Sequence, residues 1–90
     1  MTEIWKYELK MDTDEPVVMI PHGAQPICVQ LQNDKPVVYL LVDPSEPRDE
    51  WHFRIVGTGQ PFPLDDWHYI GTWQQGRFVW HVFGPEPRLA

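Results

Sequence analysis

Proline stands at positions 16, 21, 26 and 36, and that spacing decides what the first half of this chain can become. Each proline lacks a backbone donor, and inside a helix its ring would collide with the carbonyl four residues back. The intervals between them are too short for a helix of ordinary length, which leaves strands joined by turns. An all-β fold is therefore expected.

The remaining pattern agrees with strands. Residues 3 to 11 alternate, with Trp5, Tyr7, Leu9 and Met11 on one side and Ile4, Lys6, Glu8 and Lys10 on the other. Asp12, Thr13, Asp14 and Glu15 then form a solvated turn; the glycine and distal glutamate of a calcium-binding loop are missing. Val17 to Ile20 reads as a short edge strand. Residues 26 to 32 and 35 to 42 read as a hairpin turning at Asn33-Asp34, with Gln32 opposite Lys35. In that register Ile27, Val29 and Leu31 share a face with Val38 and Leu40, while Cys28, Gln30 and Gln32 join Val37, Tyr39 and Leu41. The second strand is apolar on both faces, so it is either central and covered twice or meets another subunit through Val37, Tyr39 and Leu41.

Asp43 to Glu50 is a charged, proline-bearing connector, and Trp51 to Val56 resumes alternation. After Gly57-Thr58-Gly59-Gln60-Pro61, the run from Pro63 to Asp66 has the look of one helical turn. Trp67 to Phe83 then forms an aromatic hairpin. Taking Gln75-Gly76 as its turn pairs Trp73 with Phe78, Gly71 with Trp80 and Tyr69 with Val82. One face, with Tyr69, Trp73 and Trp80, closes the core. The other carries His68 and His81 within diagonal reach of each other. The expected architecture is an antiparallel meander of six or seven strands, folded as a small open barrel or sandwich over residues 1–84, with 85–90 as a flexible tail.

Charge and cysteine content narrow the chemistry. Thirteen acidic against seven basic residues give a net charge of −6, which repels phosphate backbones and argues against direct DNA or RNA binding. Cys28 is the single cysteine, so an intrachain disulfide and a cysteine-rich zinc site are both ruled out. Its strand setting, without a basic neighbour, makes it an inert thiol. The start lacks a basic segment followed by an apolar one, and no apolar run is long enough to span a membrane; a soluble chain in a reducing cytoplasm is expected.

Two clusters compete as sites. Gly57, Thr58 and Gly59 can offer backbone N–H groups to an anion, with Arg54 supplying charge and Thr58 a hydroxyl. His68 and His81, with His52 on its own strand, lack the spacing of a metal site, and neither a metal nor a cofactor is expected. Trp51, Trp67 and Trp73 fall on core sides of their strands. With neither paired carboxylates nor an activated nucleophile, the chain reads as a non-enzyme.

Glu3-Ile4-Trp5-Lys6-Tyr7-Glu8-Leu9, Val42-Asp43-Pro44, Phe53-Arg54-Ile55-Val56-Gly57-Thr58-Gly59, Tyr69-Ile70-Gly71-Thr72 and His81-Val82-Phe83, in that order, resemble a family of short, uncharacterised proteins of bacteriophages and bacteria. Gln60 departs from the resemblance, which implies a histidine after the Gly-Thr-Gly. The resemblance implies a phage-like accessory protein in the host cytoplasm. Such a protein would act by binding a host protein or a nucleotide signal and so blunt host defence. The alternative is an assembly role as a homo-oligomer.

Overall fold

A computed structural model describes residues 1–85; of the expected tail, 85–90, Pro85 belongs to the last strand and 86–90 lie outside the described residues. The described residues form eight strands: β1 Glu3–Glu8, β2 Val17–Pro21, β3 Gln25–Gln32, β4 Lys35–Val42, β5 Arg48–His52, β6 Arg54–Gly57, β7 Trp67–Gln75 and β8 Phe78–Pro85. They pair antiparallel into three sheets, ordered β1-β4-β3, β2-β5 and β6-β8-β7, and none closes on itself. Only β3–β4 and β7–β8 are simple hairpins. The other pairings join strands distant in sequence, so the order is not a meander.

The proline-defined half folds as its pattern requires. Asn33 and Asp34 both hold positive φ, 53° and 62°, and place Gln32 opposite Lys35. Two successive left-handed residues are what a type I′ hairpin turn demands. The hairpin register follows the sequence as far as Cys28↔Tyr39. A bulge at Ile27 then turns that residue outward, leaving it 45% exposed instead of on the core face. β4 is central, between β1 and β3, and sends Val38, Leu40 and Val42 into the core.

One expected strand is two. Trp51 to Val56 breaks at Phe53, because β5 pairs with β2 while β6 pairs with β8. The backbone stays satisfied across the break: Phe53 N–H donates to the Pro16 carbonyl at 2.9 Å and Ile55 N–H to that of Asp14 at 2.8 Å. Trp51, Phe53 and Ile55 still alternate inward, and Phe53 is fully buried where the three sheets meet. The core also takes Leu9, Ile20, Val29, Trp73 and Val82. The connector before β5 is shorter than expected, since Arg48 to Glu50 already belong to the strand.

The aromatic hairpin turns one residue later than its sequence suggests. Gly76, with φ +60°, occupies the first turn position and Arg77 the second, so Gln75 faces Phe78, Trp73 faces Trp80 and Gly71 faces Val82. Glycine alone at positive φ in the first position suits a type II′ turn. The ring of Trp80 covers Gly57 of β6, not Gly71: a β-carbon on Gly57 would lie 3.3 Å from Trp80 Cζ3. Pro63 to Asp66 is not helical. It ends in a turn closed by Trp67 N–H to the Leu64 carbonyl at 2.8 Å, with Asp65 at φ +39°.

Candidate functional site

A second bulge, at Ile70, determines what the β6-β8-β7 sheet shows to solvent. Tyr69 pairs with Phe83 and Gly71 with Val82, so Ile70 is the extra residue. In an unbroken strand residues 69 and 72 would point to opposite faces. The bulge brings them to the same one. Tyr69 therefore leaves the core side assigned to it by alternation and stands 53% exposed, while Ile70 packs inward, its Cδ1 2.9 Å from where a β-carbon on Gly84 would be. Trp67 is likewise only half-buried.

The consequence is a chain of side-chain hydrogen bonds running from β7 across β8 to the turn that follows β6. Tyr69 Oη lies 2.5 Å from Thr72 Oγ1, Thr72 Oγ1 2.8 Å from His81 Nδ1, and His81 Nε2 2.7 Å from Thr58 Oγ1. Thr58 also approaches the Val79 carbonyl at 3.3 Å. That carbonyl can only accept, so it fixes the direction for a neutral imidazole. Thr58 donates to Val79 and accepts from His81 Nε2–H, Thr72 donates to Nδ1, and Tyr69 donates to Thr72. The outermost atom, the phenol oxygen of Tyr69, keeps lone pairs for a further donor.

Beside this chain, Arg54 sits opposite Phe83 on β6. Its Nη2 lies 3.5 Å from Asp14 Oδ2 and its guanidinium 5.8 Å from the ring centre of Phe62. Phe62 in turn packs on Phe83 at 4.6 Å, and Tyr69 meets Phe83 edge-on at 5.6 Å. Arg54 Nε is buried and has no hydrogen-bond partner among the described residues. An orphaned buried donor costs about 1–3 kcal/mol.

The candidates read from sequence are thus partly gathered and partly scattered. Arg54, Thr58 and His81 share this face. His68 does not: the bulge sets it opposite Gly84, exposed and away from His81. Gly57 and Gly59 shape the turn, but the Gly57 N–H is taken by Gln60 Oε1 at 2.8 Å and the Thr58 N–H by the Val79 carbonyl at 3.1 Å. Those two donors are not available to an anion. Gln60, where the resemblance implied histidine, is the cap of that turn. Sequence reasoning passed over Phe62, Thr72 and Phe83 as site residues and misplaced Tyr69; the available signal was Gly71, since an isolated glycine inside a strand marks a bulge.

On the β1-β4-β3 sheet, Val37 is 6% exposed and Tyr39 half-buried, which leaves Leu41 and its cross-strand neighbour Ile4, 37% and 62% exposed, as the apolar surface. Polar bridges roof Val37: Lys6 Nζ donates to Gln32 Oε1 at 3.2 Å, and Lys35 lies 3.8 Å from Glu8. Among the described residues no three His, Cys, Asp or Glu side chains gather as a metal-binding group, and no helix is long and apolar enough to cross a membrane.

A family model described as a domain of unknown function, DUF7352, matches residues 1–89. The chain belongs to the DUF7352 family. Searches of curated proteins and of solved structures each return no match. For this DUF7352 domain, the side chains themselves carry the functional reading.

Proposed function

We propose that this DUF7352 protein acts by binding, not by turnover, and that the outer face of β6-β8-β7 seats a small aromatic anion of the nucleotide class. The observation that carries this reading is Arg54, whose guanidinium lies over Phe62, itself packed on Phe83, and whose buried Nε has no hydrogen-bond partner among the described residues. A guanidinium next to stacking rings suits a phosphate joined to a base. The Tyr69 oxygen adds an acceptor for a base amine. Thr72 and His81 have the spacing of a nucleophile and its base, but they face each other on an exposed pair of strands, and Thr72 is one link of the hydrogen-bond chain. In a phage-encoded setting, such a face would sequester a host nucleotide signal.

The test is a titration with linear and cyclic nucleotides, followed by thermal shift and by NMR of the aromatic side chains. Binding should perturb Phe83, Tyr69 and His81 and should weaken in Arg54→Lys, which keeps the charge and loses the fork. If no nucleotide shifts the melting temperature or these resonances, the reading fails.

A second reading, self-association, rests on the exposed Ile4–Leu41 pair beside Tyr39. It predicts a concentration-dependent mass by sedimentation that Leu41→Lys abolishes. A monomer at all concentrations removes it.

A further inference from the structure

A different part of the surface carries an inference independent of the Arg54 face. The turn before β7 delivers Asp65 and Asp66 to the edge of a cleft of about 340 Å³ walled by Trp67 and Pro85, with Glu50 of β5 on its far side. Asp65 takes φ +39°, a left-handed conformation that aspartate tolerates, in the turn that places both residues in the lining of the cleft beside Trp67. A second cleft of about 300 Å³ adjoins it, with Glu50 and Pro85 in both walls; it adds Asp49 and the buried edge of Trp51.

The polarity of this paired cleft is one-sided. Among the described residues neither part is lined by lysine or arginine, and Arg48 of the same strand is turned away, its guanidinium 4.9 Å over the Trp5 ring. His22 and His52 are engaged by the acids, His22 Nδ1 with Asp49 Oδ2 at 2.6 Å and His52 Nε2 with Glu50 Oε2 at 3.5 Å. Asp65 and Asp66 have no ion-pair partner among the described residues.

We infer that the cleft walled by Trp67 and rimmed by Glu50, Asp65 and Asp66 docks an arginine-bearing segment of a protein partner. The charge complementarity is direct: a guanidinium can lie against the indole face while its fork meets the carboxylates. The adjoining cleft, whose Asp49 is engaged by His22, extends the groove for the neighbouring residues of the segment. A net charge of −6 steers such a partner toward the protein.

The experiment uses the full chain with a blocked tetra-arginine peptide, a tetra-glutamate control and spermine, read at the Trp67 indole N–H by NMR and as affinity by calorimetry. The peptide should move the Trp67 signal, and Asp65→Asn/Asp66→Asn should weaken it by about tenfold or more. Glu8→Gln/Asp34→Asn, which changes net charge equally at the Gln75 end of β7, opposite Trp67, should leave affinity nearly intact. Equal weakening by both double variants would mean diffuse electrostatics and would overturn the inference. So would absence of peptide binding, or spermine matching the peptide at Trp67, which would make the site one for small polyamines.

Discussion

Gly71 of β7 lies directly against Val29 of β3: a β-carbon at position 71 would stand 2.7 Å from Val29 Cγ1 and 3.3 Å from the Val29 backbone nitrogen. This contact brings the sheet that carries the His81 chain onto the β1-β4-β3 sheet, so the absence of a side chain at 71 sets how closely the two can pack. Gly71→Ala should destabilise the protein by about 1–3 kcal/mol, the usual cost of overpacking. Val29→Ala made in the Gly71→Ala background should recover part of the loss, since it removes the methyl in the way. Urea unfolding of the four proteins in the cycle measures both; strict additivity would show that the contact does not limit the packing.

How far the sequence foretold this fold depends on which residue is asked. Alternation placed Trp51, Phe53, Ile55, Val29 and Val38 in the core because strand period reports burial directly. The Asn33-Asp34 turn was legible because few residue pairs tolerate two left-handed positions. Gly76 was ambiguous: glycine suits the second position of one hairpin turn and the first of another, and the structure takes the latter. The bulges at Ile27 and Ile70 left no periodic trace beyond the nearby Gly71. Yet the one at Ile70 is what turns Tyr69 outward and separates His68 from His81. The site was legible as a set of residue types and not as an arrangement.

The His81 chain has a consequence for its tautomer. With the Val79 carbonyl as terminal acceptor, the neutral ring must carry its proton on Nε2 and accept at Nδ1. Long-range nitrogen–proton correlation above neutral pH should show that form alone. Thr58→Val removes the link to the carbonyl, so the second tautomer should then appear. A wild-type ring protonated on Nδ1 would reverse the assigned direction.

Tyr7 gives the fold an alkaline weakness. Burial holds its phenol above the ordinary value of 10.0, against a smaller opposing pull from Arg48. The group therefore favours the folded state fully while the unfolded phenol is still protonated. That contribution is lost as pH rises from about 10 through the higher folded value, because the unfolded chain releases its proton first. Urea midpoints from neutral pH to roughly pH 11 should fall less steeply in Tyr7→Phe than in the wild type. Parallel declines would place the alkaline loss elsewhere.

The tip of the β3–β4 hairpin can be improved. Asp34 holds φ 62° at the second turn position, where a β-carbon is strained and glycine is not. The tip is also tied across the molecule by Gln75 Nε2, which donates at 2.8 Å to the Asp34 carbonyl. That acceptor belongs to the backbone, so Asp34→Gly keeps it. Glycine adds freedom to the unfolded chain, which opposes the gain, but an Asn-Gly pair is among the strongest type I′ turn formers. The net change should be a stabilisation of about 0.5–1 kcal/mol, read as a higher urea midpoint with an unchanged slope. Gln75→Ala should lower stability by a similar amount in either background, because the cross-molecule bond survives the turn substitution. A destabilised Asp34→Gly protein would mean that the aspartate carboxylate, and not its backbone conformation, supports the tip.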